Sequence, residues 1–239
     1  MSSPPITVPP DTIVGLNTEG EPVTLSRVLN ACHEMREWLG IKITTGAYSE
    51  RIVDELAVHW CRMPQIFGQM RLLIDCHAVL DQIGSLERAS QNKAAPTKPA
   101  KPFSGPLTGL WGKHWFQASF IPTNVIRENE KFGASLVYKA LNKRFGRNGW
   151  HDRPCVDVGG FVAHAAVIDV LENRVGRRSS SKDRGLTGEW IIFAKSGGRN
   201  IYLTLASHSE TNEAILARCQ LATSEFPELK TEPPFSQWR

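Results

Sequence analysis

Two short runs near the C-terminal end constrain the fold more than any other stretch. Glu189–Lys195 and Asn200–Ala206 are rich in β-branched and aromatic residues, and only Ser-Gly-Gly-Arg separates them. Such side chains pack well on a pleated surface. A glycine pair supplies the positive φ that a tight hairpin turn demands. An antiparallel hairpin is predicted here. Ser207 and Glu210 then stand at capping-box spacing, so a helix from Ser209 to about Thr223 is expected to follow, through Ile215, Leu216 and Cys219.

The first part of the chain reads differently. Residues 1–22 are proline-rich and are expected to be a disordered tail. From Thr24 to Leu39, apolar residues recur at three- and four-residue spacing (Leu25, Val28, Cys32, Met35, Leu39), which predicts a helix ending at Gly40. Two more helices are predicted over Ser49–Arg62 and Pro64–Arg88. Residues 23–90 thus form an expected helical domain. Residues 91–106 are rich in proline and lysine, the composition of an extended linker. Within 107–239, further helices are expected over Pro122–Gly146 and Val158–Asn173, ahead of the hairpin. The expected fold class is α+β: a helical N-terminal domain, then a C-terminal domain of helices packed on a small antiparallel sheet.

Charge is distributed unevenly. Met1–Ser90 holds 7 Lys and Arg against 11 Asp and Glu, a net of −4, and Gln91–Arg199 holds 18 against 8, a net of +10. The remaining residues, Asn200–Arg239, hold 3 against 5. A concentrated basic segment attracts phosphate backbones and releases their counterions. The bland reading is a solvated basic face with no ligand.

Some classes find little support. No run approaches the roughly 20 apolar residues of a membrane-spanning helix, and Met1–Pro10 lacks the features of a signal peptide. Five widely spaced cysteines without a CxxC pair read as reduced thiols, so a cytoplasmic setting is expected. Cys61 and Cys76 near His59 and His77 raise a zinc site, but the usual ligand spacings are missing, and buried thiols are the favoured reading. No nucleotide-binding glycine loop, serine-hydrolase elbow or zinc-protease motif occurs. No cofactor and no metal are expected.

The residues suited to chemistry cluster around the hairpin. His114 lies in Leu110-Trp-Gly-Lys-His-Trp115, and His208 lies where the second strand gives way to a helix. A histidine at such a junction can meet an anion and exchange protons near neutral pH. The plainer alternative is that His208 helps cap the helix and His114 packs among tryptophans. Strand alternation places Tyr202 and Thr204 on one face, continued by Ala206 and His208. Lys113, Lys195 and Arg199, with Arg177 and Arg178 in a basic loop, are candidate phosphate contacts, though Lys195 and Arg199 also read as ordinary turn-flanking charges.

On Leu110-Trp-Gly-Lys-His-Trp115 and on the run from Trp190 to His208, the chain resembles the phage-associated nucleases of the barnase–EndoU–colicin–RelE superfamily. The resemblance covers about Leu107 to Thr223 and leaves the helical N-terminal half uncovered. It implies helices packed on a small antiparallel sheet and metal-independent cleavage of RNA. It implies acid–base roles for His114 and His208, phosphate contacts for Lys113, Lys195 and Arg199, and assistance from Tyr202 or Thr204.

The expected activity is a ribonuclease of the toxin or mobile-element type. RNA, with tRNA one candidate, and a cognate inhibitor protein are the expected partners. A non-catalytic nucleic-acid-binding or phage–host interaction protein is the alternative, and a nucleotide-dependent transferase such as an ADP-ribosyltransferase is a weaker third.

Overall fold

The hairpin forms where the residue pattern places it. In a computed structural model, which describes residues 8–68, 70–88, 99–115, 117, 141–147 and 189–237, Trp190–Ser196 pairs with Arg199–Ala206 across a two-residue turn. Gly197 and Gly198 both take positive φ, 56° and 79°, as the favoured hairpin turn requires.

Numbering strands in chain order, β1 is Ile13–Leu16, β2 Pro22–Thr24, β3 Ala47–Tyr48, β4 Gln65–Phe67 and β5 Met70–Leu72. Then come β6 Lys101–Pro102, β7 Leu110–His114, β8 Trp190–Ser196 and β9 Arg199–Ala206. The helices are α1 Leu25–Lys42, α2 Glu50–Trp60, α3 Cys76–Glu87 and α4 Asn212–Ala222. Thr24, Ser49, Asp75 and Thr211 cap them, each accepting a backbone N–H of the first turn. The central sheet has the order β3-β9-β8-β7-β6, in which only β3 runs parallel to its neighbour.

The chain divides into two units. One comprises Met1–Ala95, Pro99–Trp115 and Glu189–Arg239; the other comprises Pro96–Lys98 and Phe116–Gly188. In the second unit the described stretch 141–145 is helical, with Leu141 buried. The remainder of the helix expected to end at Gly146, the whole of the helix expected over Val158–Asn173, and Arg177 and Arg178 lie outside the described residues.

The first unit draws on both sides of the segment expected to separate two domains. Its sheet carries α4 against one side, with Leu110, Ile192, Ala194, Ile201 and Leu203 meeting Ile215, Leu216 and Cys219. The N-terminal helices have their own core of Cys32, Met35, Leu39, Ile52, Val53, Leu56, Val79 and Ile83. They join the sheet at β9. Strand β3 pairs with β9 only at Ile201 and Tyr202, and side chains then take over along the rest of that edge. Ser49 Oγ donates to the Leu203 carbonyl at 2.6 Å. Glu55 accepts the Leu205 N–H at 2.8 Å, and Arg218 donates to the Leu205 carbonyl at 3.0 Å.

Several local expectations change. Helix α1 continues through Gly40 to Lys42, because the Ile43 N–H still reaches the Leu39 carbonyl. The helix expected over Pro64–Arg88 is a β4–β5 hairpin followed by α3. Gly68, at φ 60°, turns the chain, and Asp75 starts a new helix by accepting the His77 and Ala78 N–H groups. The tail expected over 1–22 contains β1, paired with β2, with Asn17 Oδ1 holding the connecting turn through the Glu19 and Glu21 N–H groups. Part of the expected linker joins the sheet as β6, opposite Trp111 and Gly112. The Ser207 N–H does reach Glu210 Oε2, at 2.7 Å, but α4 begins later, with Thr211 as its cap.

Glu55 is the least accommodating residue in this arrangement. It is 1% exposed and also accepts from Arg51 and from the Thr204 hydroxyl, at 2.8 and 2.7 Å. Burial pushes its carboxyl above the ordinary range despite these donors. Removing one member of such a group strands the others in a dry environment. Glu55→Ala is expected to lower stability by about 3 kcal/mol, measured by urea unfolding at neutral pH. A loss below about 0.5 kcal/mol, the range of an ordinary surface substitution, would contradict this picture of the edge.

Candidate active site

Strand register brings the two histidines together. His114 ends β7 directly opposite Trp190, and Trp190 is directly opposite Ala206. These three residues form a row across adjacent strands on one face, and His208 lies two residues beyond Ala206. The imidazoles stand with Nε2 to Nε2 at 3.1 Å, stacked with centroids 5.2 Å apart. The Trp190 indole Nε1–H donates to His114 Nε2 at 2.8 Å, and its ring lies 4.1 Å from that of His208, centroid to centroid. His114 is buried and His208 is exposed.

Glu189 fixes the geometry from below. Its carboxylate accepts the His208 N–H at 2.6 Å, and its carbonyl accepts the Trp115 N–H at 3.1 Å. The residue before Trp190 therefore ties the end of β7 to the loop that carries His208. Glu210, through Ser207, holds the same loop and is itself held by Arg218 Nη2 at 3.0 Å. From the N-terminal half, the Phe67 carbonyl accepts from Ser209 Oγ at 2.8 Å.

Tyr202 does not share a face with Thr204 and this pair. Ile192 is opposite Thr204 while Phe193 is opposite Tyr202, so Leu203 is an extra residue in β9. Adjacent residues of β8 face opposite sides, and the bulge sends Tyr202 and Thr204 to opposite sides as well. Both are fully buried. Thr204 serves Glu55. The Tyr202 hydroxyl donates to Glu87 Oε1 at 2.8 Å, and burial together with Glu87 pushes the phenol far above its usual range. It remains a donor.

The expected cationic contacts are spread out. Lys195 lies over the Trp111 ring, 3.7 Å from its centroid, a cation–π arrangement. Arg199 pairs with Glu228 at 2.8 Å. Lys113 precedes His114 on β7, so its side chain leaves the opposite face of the strand; it is buried.

Cys61, Cys76, His59 and His77, whose proximity in the sequence raises a zinc site, have other surroundings. The Cys61 and Cys76 thiols donate to the Arg27 and Leu56 carbonyls. His77 is edge-on to both Trp38 and Trp60. Burial lowers His59 to about 4, and its Nδ1 accepts the Ile74 N–H at 3.4 Å. Among the described residues, no three His, Cys, Asp or Glu side chains stand together as a metal site would require. Also among the described residues, no helix is long and apolar enough to cross a membrane.

Sequence reasoning missed Trp190 and Glu189 as parts of this site. The signal was available: the first residues of a predicted hairpin must pair with something, and a Trp beside a His-bearing strand is a ready donor.

Glu87 yields a pH-dependent test of where Tyr202 acts. Burial works against its ionisation, but hydrogen bonds from the Thr45 and Gly46 N–H groups, the Thr45 hydroxyl and Tyr202 outweigh burial and hold the carboxyl below its ordinary value. A depressed carboxyl stabilises the fold above the unfolded-chain value of about 4.3, and that contribution is lost as pH falls through the folded value. Tyr202→Phe is expected to cost about 1–2 kcal/mol at pH 7 and less at pH 3, while leaving the His114 and His208 resonances in place. An undiminished cost at pH 3, or displaced histidine resonances, would contradict this assignment.

Comparison with family models, with curated proteins and with solved structures returns no match for this chain.

Proposed function

We propose that this chain is a metal-independent ribonuclease, of the toxin or mobile-element type, with His114 and His208 as its acid–base pair. The observation that carries this reading is the 3.1 Å contact between the two imidazoles, with His208 exposed at the end of β9. Two histidines held together at a solvent-facing strand end suit proton transfer near neutral pH. A phosphate diester reaches such a pair by accepting from the ring nitrogens.

The reaction requires no redox partner. The base takes the proton of the ribose 2′-OH. The 2′ oxygen attacks phosphorus, the bond to the 5′ oxygen breaks, and that oxygen leaves with a proton from the acid. The products are a 2′,3′-cyclic phosphate and a 5′-hydroxyl. DNA has no 2′-OH and is spared. The +10 net charge of Gln91–Arg199 supports attraction of an RNA backbone to the chain. The Lys195 ammonium over Trp111 offers a basic and aromatic surface of the kind that single strands use.

The test uses purified full-length chain and RNA in EDTA. Cleavage leaving cyclic phosphate ends is expected, with single-stranded DNA intact. His208→Ala, folded by circular dichroism, is expected to lose about 100-fold or more in rate. Cleavage that requires added divalent metal would overturn the mechanism. Salt-sensitive binding with no product would select a nucleic-acid-binding protein instead.

A further inference from the structure

We propose that the groove between α1 and the end of α2 binds a small zwitterion, carrying a carboxylate at one end and an organic cation at the other, as the free basic amino acids do. The groove has a volume of about 320 Å³, at the lower end of the range for small-molecule sites. Arg27, Asn30, Ala31 and Glu34 of α1 line one side, and Trp60 and Cys61 line the other. The Cys61 thiol joins the two sides by donating to the Arg27 carbonyl at 3.7 Å.

Helix periodicity sets the spacing of the charges. Arg27 and Glu34 are seven residues apart in α1, so they share a face about 10.5 Å apart along the axis. Asn30 and Ala31 lie between them. The Arg27 guanidinium only donates, and the ionised Glu34 carboxylate only accepts. Both residues are exposed, and the thiol in the groove wall responds to both. Burial raises Cys61, Arg27 draws it down and Glu34 pushes it up. Other charges on these helices are already paired, Arg36 with Glu50, Arg51 with Glu55 and Arg62 with Glu19. Among the described residues, neither Arg27 nor Glu34 has an ion-pair partner. The groove therefore presents opposite charges about two turns apart, neither of them neutralised by the protein.

The two ends suit different groups. Trp38 lies one turn beyond Glu34 on α1. His77 is edge-on to the Trp38 and Trp60 rings, at 5.7 and 5.4 Å between centroids. The two indoles remain 38% and 36% exposed. A carboxylate beside exposed indoles combines a countercharge with aromatic surface, which is how organic cations are recognised. The Arg27 guanidinium matches a carboxylate in shape and charge. Between the ends, Asn30 offers both a donor and an acceptor, and Ala31 with Trp60 offers apolar surface to an alkyl chain. A phosphate dianion matches the groove less well, because Glu34 would oppose it and Met1–Ser90 carries a net charge of −4.

Titration calorimetry on the full-length chain tests this without reference to RNA cleavage. L-Lysine and L-arginine are expected to bind. Cadaverine, which lacks the carboxylate of lysine, and L-norleucine, which lacks its side-chain ammonium, are each expected to bind about tenfold more weakly or worse. Glu34→Gln is expected to weaken L-lysine by about tenfold while leaving norleucine unchanged. Arg27→Gln is expected to weaken L-lysine similarly while leaving cadaverine unchanged. Both positions are exposed, and circular dichroism verifies the fold of each variant. No binding of either amino acid at millimolar concentration would overturn the proposal. Affinity for L-lysine unchanged in both folded variants would do the same. Binding of inorganic phosphate that is lost in Arg27→Gln and indifferent to Glu34→Gln, with no binding of L-lysine, would make the groove an anion site and also overturn it.

Discussion

The outer edge of β9 is the constraint on which the rest of this unit depends. A strand edge presents a row of backbone groups that must be satisfied once they are buried. Strand β3 is only two residues long and covers Ile201 and Tyr202. Past that point, Ser49 and Glu55 from the N-terminal half and Arg218 from α4 take the place of a neighbouring strand. Each of these side chains is fixed by its own helix. Ser49 caps α2, Glu55 lies nearly two turns further along the same helix, and Arg218 lies in α4. The hairpin of the C-terminal part and the helices of the N-terminal part are therefore one structure.

The same set of interactions reaches the histidines. Arg218 bridges from the Leu205 carbonyl to Glu210, and Glu210 holds the Ser207 N–H at the start of the loop that carries His208. On the other side, Glu189 holds the next backbone N–H. The polypeptide around His208 is thus anchored by two carboxylates, and its exposed ring rests on Trp190. Precise placement of a reactive group by surrounding hydrogen bonds is what catalytic sites require. The buried ionic groups are costly in themselves, and their position beneath the loop accounts for where that cost falls.

The hairpin and its turn were legible because alternation, β-branching and a glycine pair all point the same way. Three helices were legible in position for a similar reason, with Thr24 and Ser49 marking two of the starts. The β4–β5 hairpin was hidden because its apolar residues, such as Ile66 and Met70, also fit a helical period; the Gly68 turn and the Asp75 cap decided the matter locally. Strand β3 was too short to register in any pattern, and with it went the joining of the two halves. For the site, His114 and His208 were identifiable from their chain context, but their contact is a consequence of strand register. Tyr202 was misplaced by the Leu203 bulge, since a single extra residue inverts the face of everything before it. Burial of the Tyr202 and Thr204 hydroxyls against Glu87 and Glu55 depends on contacts across more than a hundred residues, which no local pattern encodes.

The central claim is that RNA is cut through its own 2′-hydroxyl at the His114–His208 pair. The direct measurement is cleavage of an RNA carrying a single 2′-deoxy sugar at a mapped cut position, with the unmodified RNA alongside. The account predicts that cutting at that bond disappears while cuts elsewhere persist. Continued cutting at the modified bond at the same rate would contradict it.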